Sequence, residues 1–239
     1  MIWLWRISFS SALILSLEAA TVSGSVWLDD SREASVRRGR DYSGVVIWLI
    51  RHGGIGPERP PRQTTARMDQ RNKTFVPHIL AVEVGTTVEF PNNDPIFHNA
   101  FSNYDGQVFD LGLYPPGTTK KVLFSRPGEV RIFCNIHAAM SAVIVVLPTP
   151  WFAVTPPSGK FAIASVPPGD YTMRVFHERA TSATLRSLER RIKVGAEDVS
   201  LGSIRVSEAG YLVVPHKNKY GQPYDPHSED IPPYPAARK

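Results

Sequence analysis

The chain of 239 residues has one cysteine, Cys134, so a scaffold stapled by internal disulfides is excluded. It has no run of about 20 apolar residues, the length a membrane-crossing helix needs, and no long stretch with apolar residues at helical spacing. No basic patch interleaved with aromatics is present, so nothing in the pattern calls for a nucleic-acid partner. Charge is present but uneven. The formal net charge is +5, and the basic excess lies between Arg32 and Lys73, with ten Lys/Arg against four Asp/Glu; from Thr74 to Thr149 the balance is four against six.

What is present begins with a short charged segment, Met1 to Arg6, followed by an apolar run from Ile7 to Leu17 that stops before Glu18. Its length suits the h-region of a secretory signal and falls short of a membrane span. Residues 1–20 are therefore expected to be a signal peptide cleaved near Ala19 or Ala20, leaving a periplasmic protein with no stable membrane insertion. Oxidising compartments favour paired cysteines, so the single Cys134 needs a reason to stay unpaired. Metal ligation is one such reason and burial is another.

Twenty-one prolines and seventeen glycines punctuate short β-branched and aromatic runs, which predicts an all-β protein. Val22 to Leu28 and Gly44 to Ile50 read as strands, forming a hairpin or a pair. Residues 56–73 lie in a Gly, Pro, Arg and Gln stretch that reads as a linker. From Thr74 the strands are dense: Ala81 to Val84, Thr87 to Phe90, Lys121 to Phe124, Glu129 to Phe133 and Ala142 to Leu147. Turn residues separate them, among them Gly85 and the run Pro91-Asn92-Asn93-Asp94. A further set follows at Trp151 to Val154, Lys160 to Val166, Tyr171 to Phe176, Arg191 to Val194 and Ser203 to Val206, with a helical turn or loop at Ser182 to Arg191. Residues 211–239, rich in Pro, Tyr and charge, are expected to be a disordered tail.

Four side chains able to ligate a metal fall at two places. His98 stands in Pro95-Ile-Phe-His-Asn99, and Cys134-Asn-Ile-His137-Ala-Ala-Met140 supplies the other three. A strand that delivers a thiolate, turns, presents an imidazole three residues on and a thioether three later can surround one ion from a single loop. Two imidazoles, one thiolate and a weak axial thioether form the trigonal set of electron-transfer copper. Structural zinc sites seldom use a thioether. A Cys/His hydrolase dyad is the enzymatic competitor, but it leaves Met140 and the second imidazole unused. His78, His52, His177, His216 and His227 are scattered singly and receive no role.

The segment Val84-Gly-Thr-Thr-Val-Glu-Phe90, the pair His98-Asn99 and the Cys-x-x-His-x-x-Met loop resemble the cupredoxins, the short loop being most similar to the amicyanin type. The resemblance covers roughly Thr74 to Leu147. It implies a Greek-key β-sandwich at residues 74–148 with one mononuclear type 1 copper site made by His98, Cys134, His137 and Met140. It also implies that Asn99 hydrogen-bonds across to the cysteine-bearing loop, and that His137, ringed by Ile136, Ala138 and Ala139, is the electron port. Gly159-Lys-Phe-Ala-Ile163, Val166-Pro-Pro-Gly-Asp-Tyr171 and Thr172-Met-Arg-Val175 resemble the carboxypeptidase regulatory-like, transthyretin-type domain. That second resemblance implies a small prealbumin-like β-sandwich, discontinuous over residues 21–55 and 149–210, with the copper domain inserted.

The expected function is single-electron transfer, without enzymatic activity, between redox partners such as a cytochrome and a dehydrogenase. Copper storage or delivery, and a binding module with structural copper, are the alternatives.

Overall fold

The computed structural model describes residues 19–53, 64–103, 106–212 and 215–225. In chain order its elements are β1 (Ala20–Asp29), α1 (Ala34–Gly39), β2 (Val46–Arg51), β3 (Thr65–Arg67), β4 (Asp69–Arg71), β5 (Thr74–Val76), β6 (Ile79–Glu83), β7 (Thr86–Pro91), β8 (Phe101–Ser102) and β9 (Phe109–Asp110). There follow β10 (Thr119–Phe124), β11 (Gly128–Phe133), β12 (Ser141–Leu147), β13 (Phe152–Val154), β14 (Lys160–Val166), β15 (Gly169–Phe176), α2 (Ser182–Ser187), β16 (Arg190–Val194) and β17 (Val199–Ser207). The protein is all-β in class, as the β-rich runs between turn residues require. Among the described residues, no helix is long and apolar enough to cross a membrane. The expected signal peptide falls, but for its last two residues, outside the described residues, and Ala20 already opens β1.

The middle of the chain packs two sheets face to face, β10-β7-β3 against β6-β12-β11-β8-β9. Their inward residues, including Val88, Phe90, Phe124, Val130, Ile132 and Ile144, form one buried cluster that also takes in Cys134 and Met140. The outer stretches of the chain build a second pair, β14-β1-β17 and β13-β2-β15-β16, around Val22, Val26, Ile47, Leu49, Tyr171 and Met173. The turn before β14 uses Gly159 at φ 71°; a Cβ there would collide with the carbonyl of Val26, so glycine is required.

Two expectations are corrected here. β1 and β2 form neither a hairpin nor a pair: β1 runs parallel to β17 and antiparallel to β14, whereas β2 lies between β13 and β15. The reason is that β1 finds its partners far along the chain, from Lys160 to Val166 and from Val199 to Ser207, where no local signal marks them. Residues 64–73 of the expected linker are also structured, since β3 pairs in parallel with β7 and β4 pairs with β5. Met68 and Gln70 point inward and are fully buried while Arg67 and Arg71 face water, an alternation disguised by the polar Gln70.

Strand β12 explains how the two sandwiches sit together. Ala142, Ile144 and Val146 face the core around Cys134. Val143, Val145 and Leu147 face the other way and pack with Ile79, with Val46 of β2 and with Phe176 of β15. A strand buried on both faces reads as an unbroken apolar run, which is what Ala142 to Leu147 is. His78 bridges the two sandwiches as well, donating from Nδ1 to the Ser141 carbonyl at 3.0 Å and from Nε2 to Glu178 at 2.7 Å. The Glu178 carboxylate raises the His78 pKa above its ordinary value.

Candidate metal centre

β11 and β12 form an antiparallel pair with Phe133 opposite Ser141, so Cys134 to Met140 is the connection at its end. The connection is held shut by its own backbone: Cys134 N–H donates to the Met140 carbonyl and Met140 N–H to the His137 carbonyl, both at 3.1 Å. His98 arrives from another part of the chain, its backbone exchanging two hydrogen bonds with Tyr114 at 3.2 and 2.9 Å. Below that bridge lies a buried polar layer. The amide of Gln70 donates to the Tyr114 hydroxyl, that hydroxyl donates to the Phe90 carbonyl, and Asn92 Nδ2 donates to the carbonyls of Ile96 and Tyr114. Burial first, then the nearby Cys134, drives the Tyr114 pKa upward, so the phenol keeps its proton and remains a donor.

These elements bring three of the expected ligands together. The Cys134 Sγ lies 3.8 Å from His98 Nδ1 and 3.6 Å from His137 Nδ1. All three donor atoms fall within 4.8 Å of one another, and all three residues are buried. The imidazole rings meet edge to face at a centroid separation of 4.8 Å. Met140 is fully buried in the same cluster. A thiolate and two imidazoles around one small volume suit a borderline or soft metal ion, and polar groups so buried need a partner. The residues present therefore fit a metal. A hydrolase dyad does not suit the same geometry, because Cys134 has no exposed surface to meet a substrate.

The structure adds a residue that the motif left out. The Asp94 Oδ2 sits 2.7 Å from His98 Nε2, and both residues are buried. The same carboxylate accepts from the backbone amides of Asn72 at 2.5 Å and Lys73 at 2.8 Å. Burial opposes its ionisation, but these hydrogen bonds outweigh burial and hold the Asp94 pKa below the usual carboxylate value. A carboxylate can only accept here, so His98 carries its proton on Nε2 and turns the Nδ1 lone pair toward Cys134, the arrangement that orients metal-binding histidines. Burial in turn lowers the His98 pKa, which favours the neutral, ligating form. The only sequence signal was a carboxylate four residues before the histidine, inside a run that reads as a turn.

Two further expectations change. The Asn99 side chain turns away from the cysteine-bearing loop: its Nδ2 donates to Asp110 Oδ1 at 2.8 Å and to the Gly112 carbonyl at 3.0 Å, and its buried Oδ1 has no hydrogen-bond partner among the described residues. The tail expected to be disordered from residue 211 is instead, over residues 215–225, seated on the connection Cys134 to Met140 through hydrogen bonds from His216, Lys219 and Tyr224. Its Pro-rich, charged composition masked these contacts because they are made to backbone and side-chain polar groups and need no apolar periodicity. His137 itself is 2% exposed, with Ala138 and Ala139 exposed beside it. His227 lies outside the described residues.

No family model matches the chain. A stretch of 59 residues, 24% of this chain, is 42% identical to methylamine utilization protein MauL of Methylorubrum extorquens and takes in 52% of that protein. The chain thus spans about half the length of the curated relative it matches. Among solved structures it is similar to the Cu-containing nitrite reductase of Thermus scotoductus, with 28% identity and a TM-score of 0.33 over 41% of this chain and 25% of that one. It is also similar to amicyanin from Paracoccus versutus, with 14% identity and a TM-score of 0.33 over 41% of this chain and 97% of that one.

Proposed function

We propose that the chain is an exported, periplasmic copper protein that carries single electrons through one mononuclear type 1 site held by His98, Cys134, His137 and Met140. The observation that carries this reading is the placement of a buried Cys134 sulfur within 4 Å of two buried imidazole nitrogens. Soft sulfur donors suit Cu(I) and imidazole suits copper more broadly. Copper, when bound, supplies the one-electron couple.

The chain's own residues do the rest. Asp94 fixes the tautomer and ring direction of His98, and the backbone bonds across Cys134 to Met140 hold three donors in one arrangement. The packed core keeps water from the thiolate. The small exposed Ala138 and Ala139 let a partner come close to His137, which suits the small, transient interface of a redox encounter. That partner would be a protein such as a cytochrome or a dehydrogenase, and the likeness to MauL supports a partner from methylamine utilization. The second sandwich is read as the carboxypeptidase regulatory-like domain at residues 21–55 and 149–210, serving docking or a structural role. The protein is read as a carrier and not an enzyme.

Titration of the metal-free protein with Cu(II) tests the reading. An intense visible thiolate-to-copper absorption, with reversible one-electron cycling and slow loss to a chelator, is expected. A colourless Cu(II) complex overturns the assignment, and rapid loss to a chelator without reversible cycling assigns copper delivery in its place.

A further inference from the structure

The strand pair and the His98 turn each have their own anchors, yet a third element touches the first and is linked to the second through Asp110. Residues 215–225 contact the connection between β11 and β12 at three points. The His216 Nε2 donates to the Ala138 carbonyl at 2.7 Å. The Lys219 backbone N–H donates to Asn135 Oδ1 at 3.0 Å. The Tyr224 hydroxyl donates to the carbonyl of Cys134 itself at 2.7 Å, with His216 Nδ1 lying 3.2 Å from the same hydroxyl. The His216 ring also stacks on Phe133, the residue before the cysteine, at a centroid distance of 4.1 Å and an interplanar angle of 29°.

Lys219 reaches in a second direction. Its Nζ meets Asp110 Oδ2 at 2.7 Å, and the other oxygen of that carboxylate accepts from Asn99 Nδ2 and from the Gly112 N–H. Asn99 follows His98 directly. One residue of the tail therefore bonds on one side to the loop carrying Cys134, His137 and Met140, and on the other, through Asp110 and Asn99, to the turn carrying His98.

From this we infer that the segment Pro215 to Asp225 is a clip, with His216, Lys219 and Tyr224 as positioning residues that fix the two ligand-bearing segments relative to each other. None of the three is itself a ligand in this reading. Each acts through a group on or linked to a ligand-bearing segment: the carbonyl of Cys134, the side chain of Asn135, the carbonyl of Ala138 and, by way of Asn99, the carboxylate of Asp110. Groups that orient ligands from behind alter metal affinity by about 10-fold to 100-fold. Loosening them would let the Cys134 sulfur shift against the two imidazoles, and the visible band of a bound copper would report that shift.

The inference rests on the copper reading, and the full-length chain separates the two. Wild type and a His216→Ala, Lys219→Ala, Tyr224→Phe triple variant are each loaded with Cu(II), then exposed to an excess of chelator. The triple variant is expected to release copper about tenfold faster, with a shifted visible band. Absence of a visible band in wild type refutes the copper reading. A coloured wild type whose triple variant releases copper less than about threefold faster, or has an identical spectrum, overturns the clip. Should circular dichroism show the triple variant unfolded, Tyr224→Phe alone, which removes one hydroxyl, takes its place with the same two outcomes. Lys219→Arg, able to keep the pair with Asp110, is expected to retain the wild-type spectrum.

Discussion

The imidazole of His98 and the carboxylate of Asp94 are joined Nε2 to Oδ2 at 2.7 Å, with neither residue open to solvent. Asp94 also caps the two amides of Asn72 and Lys73, so one carboxylate ties the turn between β4 and β5 to a side chain of the candidate metal centre. Asp94→Asn keeps the shape but loses the charge that holds the proton on Nε2. Copper affinity is expected to fall by about tenfold or more, measured by competition against a chelator of known affinity.

Cys134→Ser is expected to abolish the visible absorption, because a hydroxyl does not ionise in place of the thiolate. The change is small in volume and the site is fully buried, so the sandwich should still fold. Absorbance with Cu(II) and a thermal melt of the metal-free protein check the two halves of this expectation. A coloured serine variant would remove the cysteine from the ligand set.

Met140→Leu nearly conserves volume, a class of core swap that costs under about 1.5 kcal/mol. Copper should remain bound through the two imidazoles and the thiolate. The reduction potential should rise, since the weak axial donor that favours Cu(II) is gone. Voltammetry of wild type and variant gives the sign, and an unchanged potential would place Met140 outside the site.

Away from the metal centre, Glu208 accepts from His177 at 2.9 Å, from Arg179 at 3.0 Å and from Ser31 at 2.8 Å. Burial pushes its pKa up, but these donors win and bring it to about 2. A carboxylate held below its unfolded value stabilises the fold in full above that unfolded value, and the stabilisation drains away as pH falls toward the folded one. Glu208→Gln should therefore lower stability by about 2 kcal/mol near neutral pH, and the deficit should shrink between pH of about 4.5 and 2. Urea midpoints of both proteins across that window supply the measurement. A deficit independent of pH would show that the charge of Glu208 is not what matters.

The all-β class was legible because runs such as Lys160 to Val166 combine β-branched and aromatic residues with Pro and Gly at both ends, and that strand has the bounds its pattern suggests. The meeting of Cys134 with His137 was legible from spacing alone, since three residues on a tight connection leave little freedom, and His98 joins them. What stayed hidden is long-range or polar. The pairing of β1 with β17 has no local signature. Strands β3 and β4 are short and polar, and the one buried residue within them, Gln70, is a glutamine. Asp94 looked like any turn residue, and His216, Lys219 and Tyr224 look like a solvated tail because their partners are carbonyl and carboxylate oxygens that a hydrophobicity pattern does not register.

Because Val143, Val145 and Leu147 lean on Val46 and Phe176, the wall behind Met140 is held in common by both halves of the molecule. Cutting out the half that carries Cys134 alone would uncover that wall and leave a greasy stripe along β12 and Ile79, an invitation to self-association. Any excised version meant for spectroscopy would need polar replacements on that stripe, placed on alternate residues so that the inward-facing Ala142, Ile144 and Val146 stay untouched.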